Sequence, residues 1–275
     1  MRQSQVSTVA NDTYMPGSLS LASVIMLVML LSACVTETTN KVFNVEPSEE
    51  EALANYLQLA VGYLDQGDLA NAKRHLGNAA KIDANNSEMF ATWGLIYARE
   101  GEFDLADDSF RRSLRIDGNN SKARNNFAAF LFARNDLEGA YEQLSRVVRD
   151  TEYPQRSQAF ENLGIAALRL GRLDDAEQAF TRALQLNANQ LRSALELASI
   201  NLNRSDVLQA RAYWRNYLTL IQFYNIGHNA RSLLLGARLE AALQNEENAM
   251  QYGELLRTNF PASPEYQQYR QLMDD

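Results

Sequence analysis

"YLQLAVGYLDQGDLANAKRHLGNAAKIDANN" (residues 56–86) is followed three residues later by "FATWGLIYAREGEFDLADDSFRRSLRIDGNN" (residues 90–120). The two stretches align without a gap at an offset of 34 residues. Both carry a glycine at the same interior place, Gly67 and Gly101, and both end on Asn-Asn. The same register continues down the chain. Small residues recur at Ala60, Gly94, Ala128, Gly164, Ala198 and Ala237, and twelve residues after each come Ala72, Ala106, Ala140, Ala176, Ala210 and Ala249. A fixed period of this length marks an array of identical supersecondary units rather than a domain with one central core.

This double register resembles the tetratricopeptide repeat, in which two antiparallel helices cross where small side chains let their backbones approach. The resemblance implies an all-α fold, a right-handed superhelix of about six helix-turn-helix units. The units fall near residues 53–86, 87–120, 121–154, 157–190, 191–224 and 230–263, and the C-terminal "PEYQQYRQLMDD" is expected to cap the last one. Large apolar residues occupy the packing positions, among them Trp93, Tyr97, Phe103, Phe110, Leu163, Leu173 and Phe180. Gly67, Gly101 and Gly171 stand in the turns, where a positive φ ends the first helix at little cost. Four departures interrupt the pattern: two extra residues near "TEYPQ" (151–155), about five in "IQFYNIGHNA" (221–230), Ser205 and Gln244 in place of the turn glycine, and Gly253 where a large apolar residue is usual. Pro261 matches the proline that commonly closes a repeat.

Ahead of the array the chain is organised differently. An apolar run from about Leu19 to Leu31 is too short for the ~20 residues that cross a bilayer, and it reads as the core of a signal peptide. "Leu31-Ser32-Ala33-Cys34" resembles the bacterial lipobox, whose cysteine sulfur receives diacylglycerol before the signal is cleaved and the new amine acylated. The expectation is a signal peptide over 1–33, a lipidated Cys34 opening a polar tether over 34–52, and a repeat domain over 53–275. Several acyl chains hold where one would bind only reversibly. Neither Val35, the second residue of the expected mature chain, nor Thr36 after it is Asp, and the lipobox resemblance then implies sorting to the outer membrane, with the folded part in the periplasm.

Composition narrows the function. The net charge of −8 and pI near 5.0 oppose a nucleic-acid partner. A single cysteine leaves no internal disulfide and no cysteine-based zinc site, and His75 and His228 are too far apart in sequence for a metal-ligand spacing. No phosphate-binding loop, nucleophile elbow or zinc-protease motif is present. The acidic pairs Asp107–Asp108 and Asp174–Asp175 fall early in second helices, where carboxylates complement the helix dipole. The chain is therefore expected to be no enzyme and to need no metal, cofactor or small-molecule substrate, with its covalent lipid as its only contact with the membrane.

Arrays of this kind work by a groove lined by the first helices. The repeat's usual groove positions point here to Leu57, Val61, Leu64, Leu95, Arg99, Asn125, Phe132 and Arg169 as the partner-binding set. They make the N-terminal end of the groove apolar, and such a patch is seldom left uncovered. Either a partner covers it or the chain's own Val42 and Phe43 fold back over it. Arg99 and Arg169 fit either a clamp on a peptide carboxylate or backbone, or ordinary solvated charge.

Longer stretches are more specific. "RNNFAAFLFARNDLEGAYEQL" (124–144), "YPQRSQAFENLGIAALRLG" (153–171), "ARSLLLGARLEAAL" (230–243) and "FPASPEY" (260–266) resemble the PilF/PilW family of type IV pilus biogenesis lipoproteins. The resemblance implies a pilotin, an outer-membrane lipoprotein that binds secretin subunits and promotes their localisation and multimerisation for pilus assembly and twitching motility. The alternative is a repeat-containing lipoprotein scaffold that recruits cell-wall hydrolases or outer-membrane assembly factors.

Overall fold

The computed structural model describes residues 48–274, so the signal segment, Cys34, the tether up to residue 47 and the Val42–Phe43 cover lie outside the described residues. Among the described residues there are thirteen helices and no strand. Unit one pairs α1 (Glu49–Asp65) with α2 (Leu69–Ile82), and unit two pairs α3 (Ser87–Glu100) with α4 (Phe103–Ile116). Unit three is α5 (Ser121–Ala133) with α6 (Leu137–Val147), and unit four α7 (Arg156–Arg169) with α8 (Leu173–Leu186). Unit five is α9 (Leu191–Asn203) with α10 (Val207–Phe223), unit six α11 (Ala230–Ala242) with α12 (Glu246–Asn259), and α13 (Pro264–Asp274) closes the array. This is the superhelical architecture of the tetratricopeptide repeat.

One boundary is corrected: α1 begins at Glu49, four residues before the expected start at 53. Ser48 explains the early start. Its Oγ accepts from the Glu51 backbone N–H at 3.1 Å while the Glu51 carboxylate accepts from the Ser48 N–H at 3.0 Å, a reciprocal capping box that satisfies two donors at the helix start.

The small-residue register is where paired helices touch. Sixteen residues after Ala60, Gly94, Ala128, Gly164 and Ala198 stand Leu76, Phe110, Leu144, Phe180 and Trp214, all buried. A methyl group added at Gly94 would come within 2.9 Å of the Phe110 ring, and one at Gly164 within 2.7 Å of Phe180. Glycine is therefore required in units two and four because a phenylalanine ring fills the crossing, whereas alanine serves in units one and three, where leucine does, and in unit five beside Trp214.

All six pairs turn in the same way. A residue with positive φ ends each first helix, and the N–H that follows it reaches back five residues to a carbonyl at 2.9 Å: Asp68 to Tyr63, Glu102 to Tyr97, Asp136 to Leu131, Arg172 to Ala167, Asp206 to Asn201 and Asn245 to Glu240. This is the Schellman closure. Gly67, Gly101 and Gly171 adopt it freely, and Asn135, Ser205 and Gln244 adopt it with φ of 62°, 64° and 59°. The turn is thus kept even where glycine is not.

The extra residues in the second irregular stretch lengthen α10 to 17 residues and form a loop that folds His228 inward. His228 packs against Trp214, Tyr217 and Tyr252 at centroid separations of 5.8, 6.0 and 5.7 Å, and its Nδ1 lies 3.1 Å from Ser232 Oγ. Burial holds its pKa below the ordinary histidine value. His75 is half-packed, stacked on Tyr63 at 5.3 Å.

Candidate partner-binding groove

The first helices of units three, four and five surround a recess of about 200 Å³. Ala129 and Phe132 of α5, Asn162 and Ile165 of α7 and Arg192 of α9 line it, above a floor of Ala128 and Leu144. The walls are mostly apolar because the ninth and twelfth positions of these helices point away from the helix pair's own core. Phe132 and Ile165 are half-buried, so each keeps apolar surface open to solvent.

Charge enters from one side. The Arg192 Nε lies 3.8 Å from Glu196 Oε1, and among the described residues Arg192 makes no hydrogen bond. Glu196 is 1 % exposed and is instead clasped by Arg231, whose Nη1 donates to Oε1 at 2.6 Å and whose Nη2 donates to Oε2. Arg192 therefore presents donors to the recess. Glu161, also buried, is occupied: it accepts from the Ser193 N–H at 3.1 Å and Oγ at 2.8 Å, tying α7 to α9.

The residues expected to bind a partner divide. Leu57 and Leu64 are 6 % and 2 % exposed and belong to the core that unit one shares with Leu76, Met89 and Ile96, so they offer no free surface. The fifth groove position tucks between consecutive first helices in most units, where Ala91, Glu161 and Leu195 are buried as well, and is half-buried at Asn125 in unit three. Val61 and Leu95 are half-buried, Leu95 packing against the same core. The apolar N-terminal patch is accordingly much smaller than the positions imply. Arg99 is exposed but donates to the Leu64 carbonyl at the end of α1, and Arg169 donates to Asn135 Oδ1 at 3.4 Å with its guanidinium 5.6 Å from the centre of Phe132. Arg238 repeats the arrangement on Asn203 at 2.9 Å. These arginines join neighbouring units. Asn125 is half-buried on α5.

Only Phe132 of the expected set lines the recess itself. Arg192 was legible, since it is the second position of the fifth unit's first helix, where the same code, carried one unit further, would have named it. Asn162 sits at a sixth position, outside that code, and only the packing of α7 against α5 brings it in. Among the described residues no three His, Cys, Asp or Glu side chains converge as for a metal ion, and no helix is long and apolar enough to cross a membrane. Asp107 pairs with Arg111 at 2.5 Å, and Asp175 accepts from the Tyr141 hydroxyl at 2.9 Å, so these acidic pairs are engaged in the fold.

Family models of the tetratricopeptide repeat match residues 88–120 and 118–191. The chain is 34 % identical over 249 residues to the type IV pilus assembly protein PilF of Pseudomonas aeruginosa, covering 90 % of this chain and 97 % of that protein. The chain belongs to the PilF family. The solved structure from the functional characterisation of Pseudomonas aeruginosa PilF superposes on it with a TM-score of 0.73 at 35 % identity, covering 82 % of this chain and 99 % of that one. The crystal structure of PilW, a widely conserved type IV pilus biogenesis factor, superposes with a TM-score of 0.63 at 27 % identity, covering 79 % and 98 %. Membership makes this a repeat protein of type IV pilus biogenesis, a family of protein-interaction scaffolds, and all of the recess lies within the matched repeats apart from Arg192, one residue past the second model.

Proposed function

We propose that the chain is a pilotin: a lipoprotein anchored in the outer membrane through acylated Cys34, facing the periplasm, that binds secretin subunits and promotes their localisation and multimerisation. Membership of the PilF family supports the pathway. The observation that carries the binding step is the recess between units three and five, where Phe132 and Ile165 offer apolar surface beside Arg192, whose guanidinium makes no hydrogen bond among the described residues and only a 3.8 Å ion pair with Glu196. Such a site suits a peptide segment that inserts one or two apolar side chains and presents a carboxylate or backbone carbonyl to the guanidinium. A few desolvated anchors supply micromolar affinity, roughly −8 kcal/mol.

Anchoring and recognition are separate in this reading. Cys34 takes the protein to the membrane, and the array carries the secretin along. Deleting the gene and running membrane secretin on an unboiled gel tests it: the multimer should fall sharply, and normal amounts of outer-membrane multimer would overturn the proposal. Cell fractionation of Cys34→Ser should show loss from the outer membrane while the purified protein still binds secretin.

A further inference from the structure

The outer side of α10 carries features that neither the core nor the groove uses. Leu208, Arg211, Arg215, Thr219, Gln222 and Phe223 are all exposed, and at 100° per residue they fall on one stripe of the helix, opposite the buried Ala210, Trp214 and Tyr217. The loop beyond extends the stripe with Tyr224 and Ile226. Leu208 and Phe223 are 78 % and 76 % exposed, the most exposed large apolar side chains among the described residues.

The charge of this region runs against that of the chain. From Val207 to Leu239 there is no Asp or Glu, while Arg211, Arg215, Arg231 and Arg238 fall within it, in a protein of net charge −8. Arg231 is committed to Glu196 and Arg238 to Asn203, whereas the guanidinium groups of Arg211 and Arg215 have no ion pair or hydrogen bond among the described residues. Asp206, just before the stripe, caps α10 by accepting from the Gln209 N–H at 3.0 Å.

The tip is held in place. The Ile226 N–H donates to the Ile221 carbonyl at 2.8 Å, Asn225 takes a positive φ of 52°, and His228 is wedged among Trp214, Tyr217 and Tyr252. An apolar tip kept outward by its own framework, rather than folded down, is placed for contact.

We propose that the α10 stripe and the Phe223–Tyr224–Ile226 tip dock on an anionic phospholipid surface. Charge selects the occupant: the exposed apolar side chains are flanked by two arginines with no acidic partner, in a stretch free of Asp and Glu. Aromatic and aliphatic residues on an exposed tip, flanked by unpaired arginines, are the arrangement that enters the headgroup layer of a membrane, the rings at the interface and the guanidinium groups on lipid phosphates. This contact does not rest on the groove and is distinct from the acyl anchor.

Residues 48–275 carry their own capping box, cores and closing helix, so the array folds without the segment before it and can be used with no acyl chain and no apolar leader. Flotation with vesicles of phosphatidylcholine alone, and of phosphatidylcholine mixed with phosphatidylglycerol, reads the contact. Association with the anionic vesicles should be about tenfold stronger and should fall with added salt. Arg211→Gln with Arg215→Gln should remove the preference for anionic lipid, and Phe223→Ser with Ile226→Ser should weaken binding to both vesicles, with circular dichroism unchanged. Failure to float with the anionic vesicles, equal association with both kinds, or full binding by the folded variants would overturn the proposal. Should a variant unfold, the comparison of vesicles with the unmodified array still decides it. A failed secretin assay leaves this result untouched.

Discussion

Tyr269 of the closing helix lies directly over Gly253 of α12, so that a methyl group added at Gly253 would come within 2.5 Å of Tyr269 Cε1 and nearer still to Cζ and Oη. Gly253 is the sixth unit's counterpart of Phe110 and Phe180. The ring missing from α12 is supplied by α13, which turns an apparent defect of the repeat into the socket of its cap. Gly253→Ala should loosen α13 by about 1–3 kcal/mol through overpacking, read as faster proteolysis and amide exchange over 264–274 ahead of any change in units one to four.

Arg231→Ala leaves the Glu196 carboxylate buried with only Arg192 near it, at 3.8 Å. Breaking a buried pair by removing one partner costs roughly 3–5 kcal/mol, and the half-exposure of Arg231 together with the nearby Arg192 reduces this to about 2 kcal/mol. Chemical denaturation measures it, and Arg231→Ala combined with Glu196→Leu should recover most of the loss.

The three turns closed by residues other than glycine are strained at φ near 60°. Gln244→Gly and Ser205→Gly should each raise stability by about 1 kcal/mol, while Gly101→Ala should lower it by a similar amount. Thermal melts of the purified array settle the signs, and a destabilised Gln244→Gly would show that the backbone freedom gained by the unfolded chain outweighs the strain relieved.

His228 titrates against its burial. Its pKa is lowered in the folded state, so the folded protein binds the proton less well than the unfolded chain does. The stability His228 contributes is therefore complete above its ordinary pKa of about 6.5 and is lost as pH falls from there through the folded value. The groups packed on it are Trp214, Tyr217, Tyr252 and Ser232, none of which changes charge in that range. His228→Phe should flatten the fall in melting temperature between neutral pH and about pH 5, relative to the unmodified array.

Leu57 and Phe132 should respond in opposite ways. Leu57→Ala removes a buried side chain from the core of unit one and should cost about 2–4 kcal/mol, with little effect on recognition in the protein that remains folded. Phe132→Asp or Ile165→Asp should leave helical content close to unchanged and weaken secretin binding at least tenfold, roughly 1.4 kcal/mol or more, in a pull-down or titration with purified subunits. Undiminished binding by both would remove the recess from the proposed function.

Much of this protein is determined by the sequence by itself. The period near 34 residues, the alternation of small residues with the large residues sixteen places on in units one to five and the positive-φ turns follow from local propensity and from packing between adjacent helices, and so they recur visibly along the chain. The likeness to the PilF family was legible in the turns and insertions. The tertiary structure decided which face of a helix stays open. Leu64 and Phe132 occupy equivalent positions in equivalent helices, yet one is sealed in a core with Met89 and Ile96 while the other borders a recess, because the neighbouring unit's side chains determine how closely successive first helices approach. The same holds for Gly253 and Tyr269, and for Glu196 and Arg231, 35 residues apart. Burial depends on what the next unit brings, and a one-dimensional pattern does not carry that information.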